Sequence, residues 1–154
     1  MSVLAAGSPA PEFSLTREDG TTFTREDLLG QTTVLVFYPA AFSGVCTDQF
    51  QIYAEALGEI TASGAVMYGV SCDQSEAQTA FRESLGVAIE MLSDFEPKGE
   101  ASRAFGAYFA ATGVSNRALV VIGSDGVIAW SWEGEHPGIL PGVNLVFDGL
   151  AAIA

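Results

Sequence analysis

The segment Thr33-Val34-Leu35-Val36-Phe37-Tyr38 is an unbroken apolar run of strand length, closed by Pro39. A strand with no polar face is stable only where both of its sides are covered, as in a parallel sheet with helices on each face. A second such run extends from Ala65 to Ser71. The interval from about Gly44 to Ser63 has helical spacing, so the two runs and their connection read as a βαβ unit. Around it, the extended Ser8-Pro9-Ala10-Pro11-Glu12-Phe13 leads to short strands near 13–16 and 21–24 turned by Asp19-Gly20. Thr24-Arg25-Glu26-Asp27 reads as the capped start of a short helix ending at Gly30. After the βαβ unit, Ser75 is expected to cap a helix running to about Leu85, and Met91-Leu92-Ser93 to form a short strand. A helix near 99–106 follows, then strands Ala118–Ile122 and Val127–Trp132 about the turn Ser124-Asp125-Gly126, and a last helix over about 141–152. Alternation in the final strand places Ile128, Trp130 and Trp132 on one face.

Strands alternating with helices, closed by a hairpin and a helix, predict a single α/β domain with a central mixed sheet flanked by helices. The element order resembles that of a thioredoxin-like domain. A chain of 154 residues that is 49% hydrophobic has enough apolar surface for one core. No apolar run reaches the length needed to cross a bilayer, and the first seven residues carry no basic residue and only a very short apolar stretch. The expected compartment is the cytoplasm.

The formal charge is −13, with Lys98 the one lysine and Arg17, Arg25, Arg82, Arg103 and Arg117 the arginines. With no basic patch available, nucleic acid and anionic membranes are poor partners. The acidity serves solubility or adaptation to high salt.

The residues able to carry chemistry are few. Cys46 and Cys72 are the only cysteines, too few for a disulfide framework. Cys46 falls in the first turn of the helix that follows a buried strand. Unpaired backbone N–H groups and the positive dipole end stabilise a thiolate there, and the thiolate is the nucleophile. Cys46, Phe50, Tyr53, Leu57 and Ile60 recur at intervals of four, three, four and three, so the sulfur belongs to a stripe facing the core. Spacing alone leaves a buried structural cysteine and a reactive one equally open. His136, the single histidine, stands in a loop beside Pro137 with no partner arrangement for hydrolysis. Clusters of metal-ligand type, a phosphate-cradling glycine motif and a C-x-x-C are all missing from the sequence.

The stretch Phe37-Tyr38-Pro39-Ala40-Ala41-Phe42-Ser43-Gly44-Val45-Cys46 resembles the peroxiredoxin signature: proline, three residues, threonine or serine, two residues, then the cysteine that attacks peroxide. The likeness extends over nearly the whole chain, through Pro9-Ala10-Pro11-Glu12-Phe13, Gly69-Val70-Ser71, Leu92-Ser93-Asp94-Phe95 and Asn116-Arg117. It is strongest to the small one-cysteine, alkyl hydroperoxide reductase E-like group. The resemblance implies a thiol-dependent peroxidase in which Cys46 is the nucleophile. Ser43, where threonine is usual, would hydrogen-bond the peroxide. Pro39 would shield the thiolate from water, and Arg117 would donate to the sulfur and the peroxide oxygens. It further implies a homodimer, a peroxide substrate, recycling by thioredoxin, glutaredoxin or a low-molecular-weight thiol, and no metal, flavin or haem. One departure is Gln49, where relatives often carry glutamate. The position five residues after Cys46, a frequent place for a resolving cysteine, is Gln51, which leaves Cys72 as the one internal candidate. The rival readings are a thiol–disulfide oxidoreductase, which the missing C-x-x-C opposes, and a thioredoxin-fold binding or holdase protein.

Overall fold

A computed structural model describes residues 3–153. The strands are β1 (Ser14–Thr16), β2 (Thr22–Thr24), β3 (Thr32–Phe37), β4 (Ala65–Ser71), β5 (Glu90–Ser93), β6 (Tyr108–Phe109), β7 (Val114–Ser115), β8 (Ala118–Ile122) and β9 (Ile128–Glu133). The α-helices are α1 (Gly44–Glu55), α2 (Leu57–Ala62), α3 (Ser75–Leu85), α4 (Glu100–Phe105) and α5 (Val143–Ala151). A 3-10 turn over Arg25–Leu28 takes the place of the short helix expected there, with the Thr24 amide donating to Asp27 Oδ2 at 2.8 Å.

Seven strands form one sheet in the order β2-β1-β5-β4-β3-β8-β9. β4 runs parallel to β3 and β5, and the other neighbours are antiparallel, so the sheet is mixed as expected. β3 lies inside it, between β4 and β8, and every residue from Thr33 to Phe37 is buried. Its side chains alternate between two cores. Leu35 and Phe37 join Phe13, Phe23, Val70 and Phe105 on the face covered by α4. Val34 and Val36 join Phe50, Tyr53, Ile60, Phe81 and Val146 on the face covered by α1, α2, α3 and α5. Full burial of each Phe or Val side chain is worth roughly 1.5–3 kcal/mol, so the two cores hold the sheet from both sides. Gly69 of β4 admits α1 to the second face: a Cβ there would meet Met91 Sδ and lie 2.9 Å from Phe50 Cζ. That close approach fixes the depth at which the N-terminus of α1, and Cys46 with it, sits against the sheet.

Three sequence expectations are corrected. The single helix from 44 to 63 is two, broken at Ala56, whose φ of −97° and ψ of 0° tighten the turn so that its N–H reaches Tyr53 O and Ala54 O. The stripe still faces one core: Cys46, Phe50, Tyr53 and Ile60 are buried, and Leu57 is half-buried against them. Ser75 is the first residue of α3 and not its cap; Gln74 takes that position, with no side-chain capping bond. Ile128 does not share a face with Trp130 and Trp132. Ile122 pairs with Ile128 but Val121 with Trp130, a bulge that inserts one residue and turns Ile128 to the opposite core.

The charge surplus has a thermal consequence. Among the described residues, ion pairs join Arg17 to Glu90, Arg25 to Glu12 and Arg82 to Glu18, which leaves most of the 19 acidic side chains without a cation. Self-repulsion therefore opposes the folded state when unscreened, and the Debye length shortens from about 30 Å at 0.01 M to about 3 Å at 1 M salt. The melting temperature is expected to rise between dilute buffer and molar potassium chloride. Identical melts in the two would remove any reason to connect the acidic surface with salt.

Candidate active site

The site is built where β3 gives way to α1. Pro39, half-buried, ends the strand and begins a tight loop. Within that loop Phe42 takes a φ of 66°, the left-handed region that costs a non-glycine residue roughly 1–3 kcal/mol. Two contacts hold it there. The amide of Ala41 donates to Asp73 Oδ2 at 2.7 Å, and that same oxygen accepts from Ser71 Oγ at 2.7 Å. The exposed Phe42 ring meets buried Phe81 of α3 edge-on at 5.4 Å. Asp73 and Phe81 thus tie the loop to the elements that follow β4.

Ser43 is the N-cap of α1. Its Oγ accepts from the Cys46 amide at 3.3 Å, and its carbonyl accepts from the Thr47 amide and hydroxyl, both at 2.9 Å. The capping bond uses Ser43 as an acceptor and leaves its hydroxyl proton to donate. Cys46, the third residue of α1, is completely buried. Arg117, just ahead of β8, is only 1% exposed and donates from Nη2 to Cys46 Sγ at 3.1 Å. Its guanidinium is clamped on two other sides, by Nε to the Pro137 carbonyl at 2.6 Å and Nη1 to Gln49 Oε1 at 2.7 Å. Its backbone is held as well: Asn116 Oδ1 accepts from the Arg117 amide at 2.9 Å, while Asn116 Nδ2 donates to Gly134 O at 2.8 Å. With five N–H donors on a rigid plane, the guanidinium can hold these partners and still offer donors to a bound oxygen.

Two phenols share this core. Tyr38 donates to Met91 Sδ at 3.5 Å, and burial pushes its ionisation far above the ordinary tyrosine range. Tyr53 donates to Pro141 O at 2.8 Å, and burial pushes its pKa up to about 12. Both stay neutral at physiological pH, so neither serves as a base, and the charge next to the sulfur is that of Arg117.

Cys72 has different surroundings. It follows β4 directly, so it shares the sheet edge with Cys46. The faces differ. Cys46 belongs to the core under α1, whereas Cys72 Sγ lies 3.7 Å from Ser115 Oγ, itself 2.6 Å from Ser102 Oγ of α4 on the other side. Both thiols are free and buried, and burial pushes the Cys72 thiol upward, towards the unreactive protonated form. A disulfide needs Cβ directions that converge, and side chains pointing to opposite faces of the sheet diverge. Cys72→Ser is therefore expected to keep multiple turnover when an external thiol is supplied. Loss of turnover in that variant, with a stoichiometric 46–72 disulfide mapped by mass spectrometry after one equivalent of peroxide, would reverse the assignment.

Of the sequence candidates, the structure brings Cys46, Ser43 and Arg117 into one hydrogen-bonded group, starts the loop at Pro39, and sets Cys72 apart. The clamp was only partly visible beforehand. Gln49 stood out as a departure and not as a ligand of Arg117. The loop at His136-Pro137 gave no signal at all, because its contribution is a backbone carbonyl. Asn116 and Asp73 act through local turns that no periodicity marks. Among the described residues there is no group of three or more His, Cys, Asp or Glu placed to hold a metal ion.

A mixed sheet between helical layers, with a buried thiol on a helix N-terminus facing an arginine, defines a thioredoxin-like thiol enzyme. The AhpC/TSA family model matches residues 6–131, and the chain belongs to that family of peroxiredoxins and is a thiol-dependent peroxidase. It is 29% identical to alkyl hydroperoxide reductase E of Mycobacterium tuberculosis over 98% of this chain and 99% of that protein. Peroxiredoxin Bcp of Escherichia coli is 34% identical over 61% of this chain and 60% of its own length. Among solved structures, AhpC of Enterococcus faecalis superposes with a TM-score of 0.87 at 26% identity, covering 99% of this chain and 93% of that one. Peroxidoxin BcpB of Mycobacterium tuberculosis superposes at 0.82 and 25% identity, covering 97% and 96%.

Proposed function

We propose that Cys46 is the peroxidatic residue of a one-cysteine peroxidase acting on hydrogen peroxide or organic hydroperoxides. The observation that carries this is the 3.1 Å bond from Arg117 Nη2 to a fully buried Cys46 Sγ at the start of α1. The cation and the helix N-terminus both favour a thiolate. The thiolate attacks one peroxide oxygen in line, the S–O bond forms as the O–O bond breaks, and charge accumulates on the departing oxygen. Arg117 donates to that oxygen, and the Ser43 hydroxyl donates to the peroxide. Donors fixed in advance where charge grows lower the barrier without reorganisation. The departing oxygen takes a proton and leaves as water or an alcohol, and Cys46 is left as a sulfenic acid. One external thiol condenses with it, releasing water and forming a mixed disulfide. A second thiol cleaves that bond and restores Cys46. Pro39 limits water at the thiolate.

The reductant is thioredoxin, glutaredoxin or a low-molecular-weight thiol. The chain acts as a single domain, as a homodimer, in the cytoplasm. In support of the last, no helix among the described residues is long and apolar enough to cross a membrane. The test is a single-turnover reaction. Reduced protein mixed with one equivalent of peroxide should consume it and gain one oxygen on Cys46 by mass spectrometry. Peroxide that persists, or oxidation confined to Cys72, would refute the proposal.

A further inference from the structure

We propose that Gln49 is a positioning residue that sets the charge balance of the peroxide pocket: it orients Arg117 through a neutral acceptor and so reserves the guanidinium charge for the Cys46 sulfur. This rests on Cys46 and Arg117 being the reacting pair. Every group hydrogen-bonded to the Arg117 side chain is uncharged except the sulfur when ionised: the Pro137 carbonyl, the Gln49 amide and Cys46 Sγ. No ion pair among the described residues includes Arg117. A buried arginine is ordinarily compensated by a carboxylate, since an unpaired buried charge is costly.

Gln49 occupies the place where that carboxylate would stand. It is completely buried, its Oε1 is 2.7 Å from Arg117 Nη1, and its Nε2 has no hydrogen-bond partner. By local packing alone glutamate would fit better. It has the same shape, it would accept from Arg117 in a stronger charge-assisted bond, and it would remove the orphaned N–H. The amide accepts a local cost, and what it secures is an undivided positive charge beside the thiol.

The remaining ionisable groups around this pair do not replace the missing carboxylate. Tyr53 on α1 and Tyr38 at the end of β3 are neutral phenols. Asp73, after β4, is engaged with the Ala41 amide and Ser71 Oγ. Glu133 on β9 accepts from Asn116 Nδ2, and His136 in the loop behind Pro137 is exposed. Asp48, next to Gln49 in sequence, is exposed on the outer side of α1.

The test compares Gln49→Glu and Gln49→Met with the unaltered protein, following Cys46 oxidation by hydrogen peroxide and its alkylation by iodoacetamide across pH. Gln49→Glu keeps Arg117 in place but divides its charge. Both pH–rate profiles should move upward by about one unit, so both reactions should slow by about tenfold on the acid limb of the profile. It should melt no lower than the parent, because the carboxylate pairs with Arg117. Gln49→Met removes the acceptor without adding charge. Peroxide oxidation should slow, while the profile moves less than in Gln49→Glu. Coincident profiles for Gln49→Glu and parent would overturn the charge assignment, as would equal shifts in the two variants. A Gln49→Glu protein that fails to fold would contradict the statement that a carboxylate satisfies Arg117 here. An unaltered rate in Gln49→Met would overturn the positioning role. None of these outcomes resembles failure of the underlying reading, which is peroxide consumption that continues without the Cys46 thiol.

Discussion

Cys46→Ser is expected to abolish thiol-dependent peroxide turnover while leaving the fold intact. The sulfur has no substitute. Cys72 is the one other thiol, and it lies across the sheet, against Ser115, where burial pushes it towards the protonated form. A serine hydroxyl does not ionise at neutral pH and does not form a sulfenic acid, so the electron pair that breaks the O–O bond is not supplied. The effect is a loss of the whole catalytic step, and the residual rate should match that of the free thiol reductant with peroxide. Stability should change little. Serine is close to cysteine in size, and its hydroxyl can accept from Arg117 Nη2, which otherwise loses its acceptor at 3.1 Å. The cost is that of burying a hydroxyl which keeps a hydrogen-bond partner, on the order of 1 kcal/mol. Circular dichroism and a thermal melt check the fold, and peroxide loss checks the chemistry. A folded variant that still turns over at the parental rate would remove Cys46 from the mechanism and, with it, every role assigned to the residues around it.

The parts of this fold that were legible in the sequence are those fixed by local pattern. The run Thr33–Tyr38 announces a strand covered on both faces, and β3 is such a strand, between β4 and β8 with a core on each side. The spacing of Cys46, Phe50 and Tyr53 announces a buried thiol because α1 keeps a regular period over those residues. The misreadings occur where the period is interrupted by one residue. Ala56 tightens a turn and leaves Leu57 half-buried at the margin of the same core, and the bulge opposite Val121/Ile122 sends Ile128 to the other core. Neither position carries proline, glycine or another breaker in the sequence. The site divides in the same way. Ser43 and Cys46 lie within one helical turn, but Ser43 entered through the resemblance, and its capping bond to the Cys46 amide is seen only in the structure. Arg117 is 71 residues from Cys46, and nothing local connects them. That pairing followed from the resemblance, not from the residues. The clamp on Arg117 was hidden most deeply, since the carbonyl of Pro137 is a group every residue possesses and only the path of the loop selects it.

Arg117→Ala should slow oxidation of Cys46 by roughly 10²–10³-fold, the range measured when one preorganised donor to a developing oxyanion is removed. The expected loss has two sources. The thiolate is deprived of the cation 3.1 Å from its sulfur, so a smaller fraction of the protein is in the nucleophilic form. The departing oxygen is deprived of a charged donor at the moment when it carries the most charge. A lysine separates the two. In Arg117→Lys the charge returns on a flexible stem with a point-like ammonium, which cannot hold Pro137 O, Gln49 Oε1 and Cys46 Sγ in one plane as the guanidinium does. Alkylation by iodoacetamide, which needs the thiolate but no donor to a leaving oxygen, should recover in the lysine variant more fully than peroxide reduction. The alanine variant should also lose stability. It empties a fully enclosed site and strands the Pro137 carbonyl and the Gln49 amide oxygen without their donor, a penalty of about 1–3 kcal/mol for each buried group left unsatisfied. A melt taken beside the kinetics tells a slow enzyme from an unfolded one. Stopped-flow oxidation of folded Arg117→Ala at the parental rate would mean that the thiol reacts without the arginine. The 3.1 Å contact would then be packing alone, and α1's N-terminus would have to account for the reactivity of Cys46 by itself.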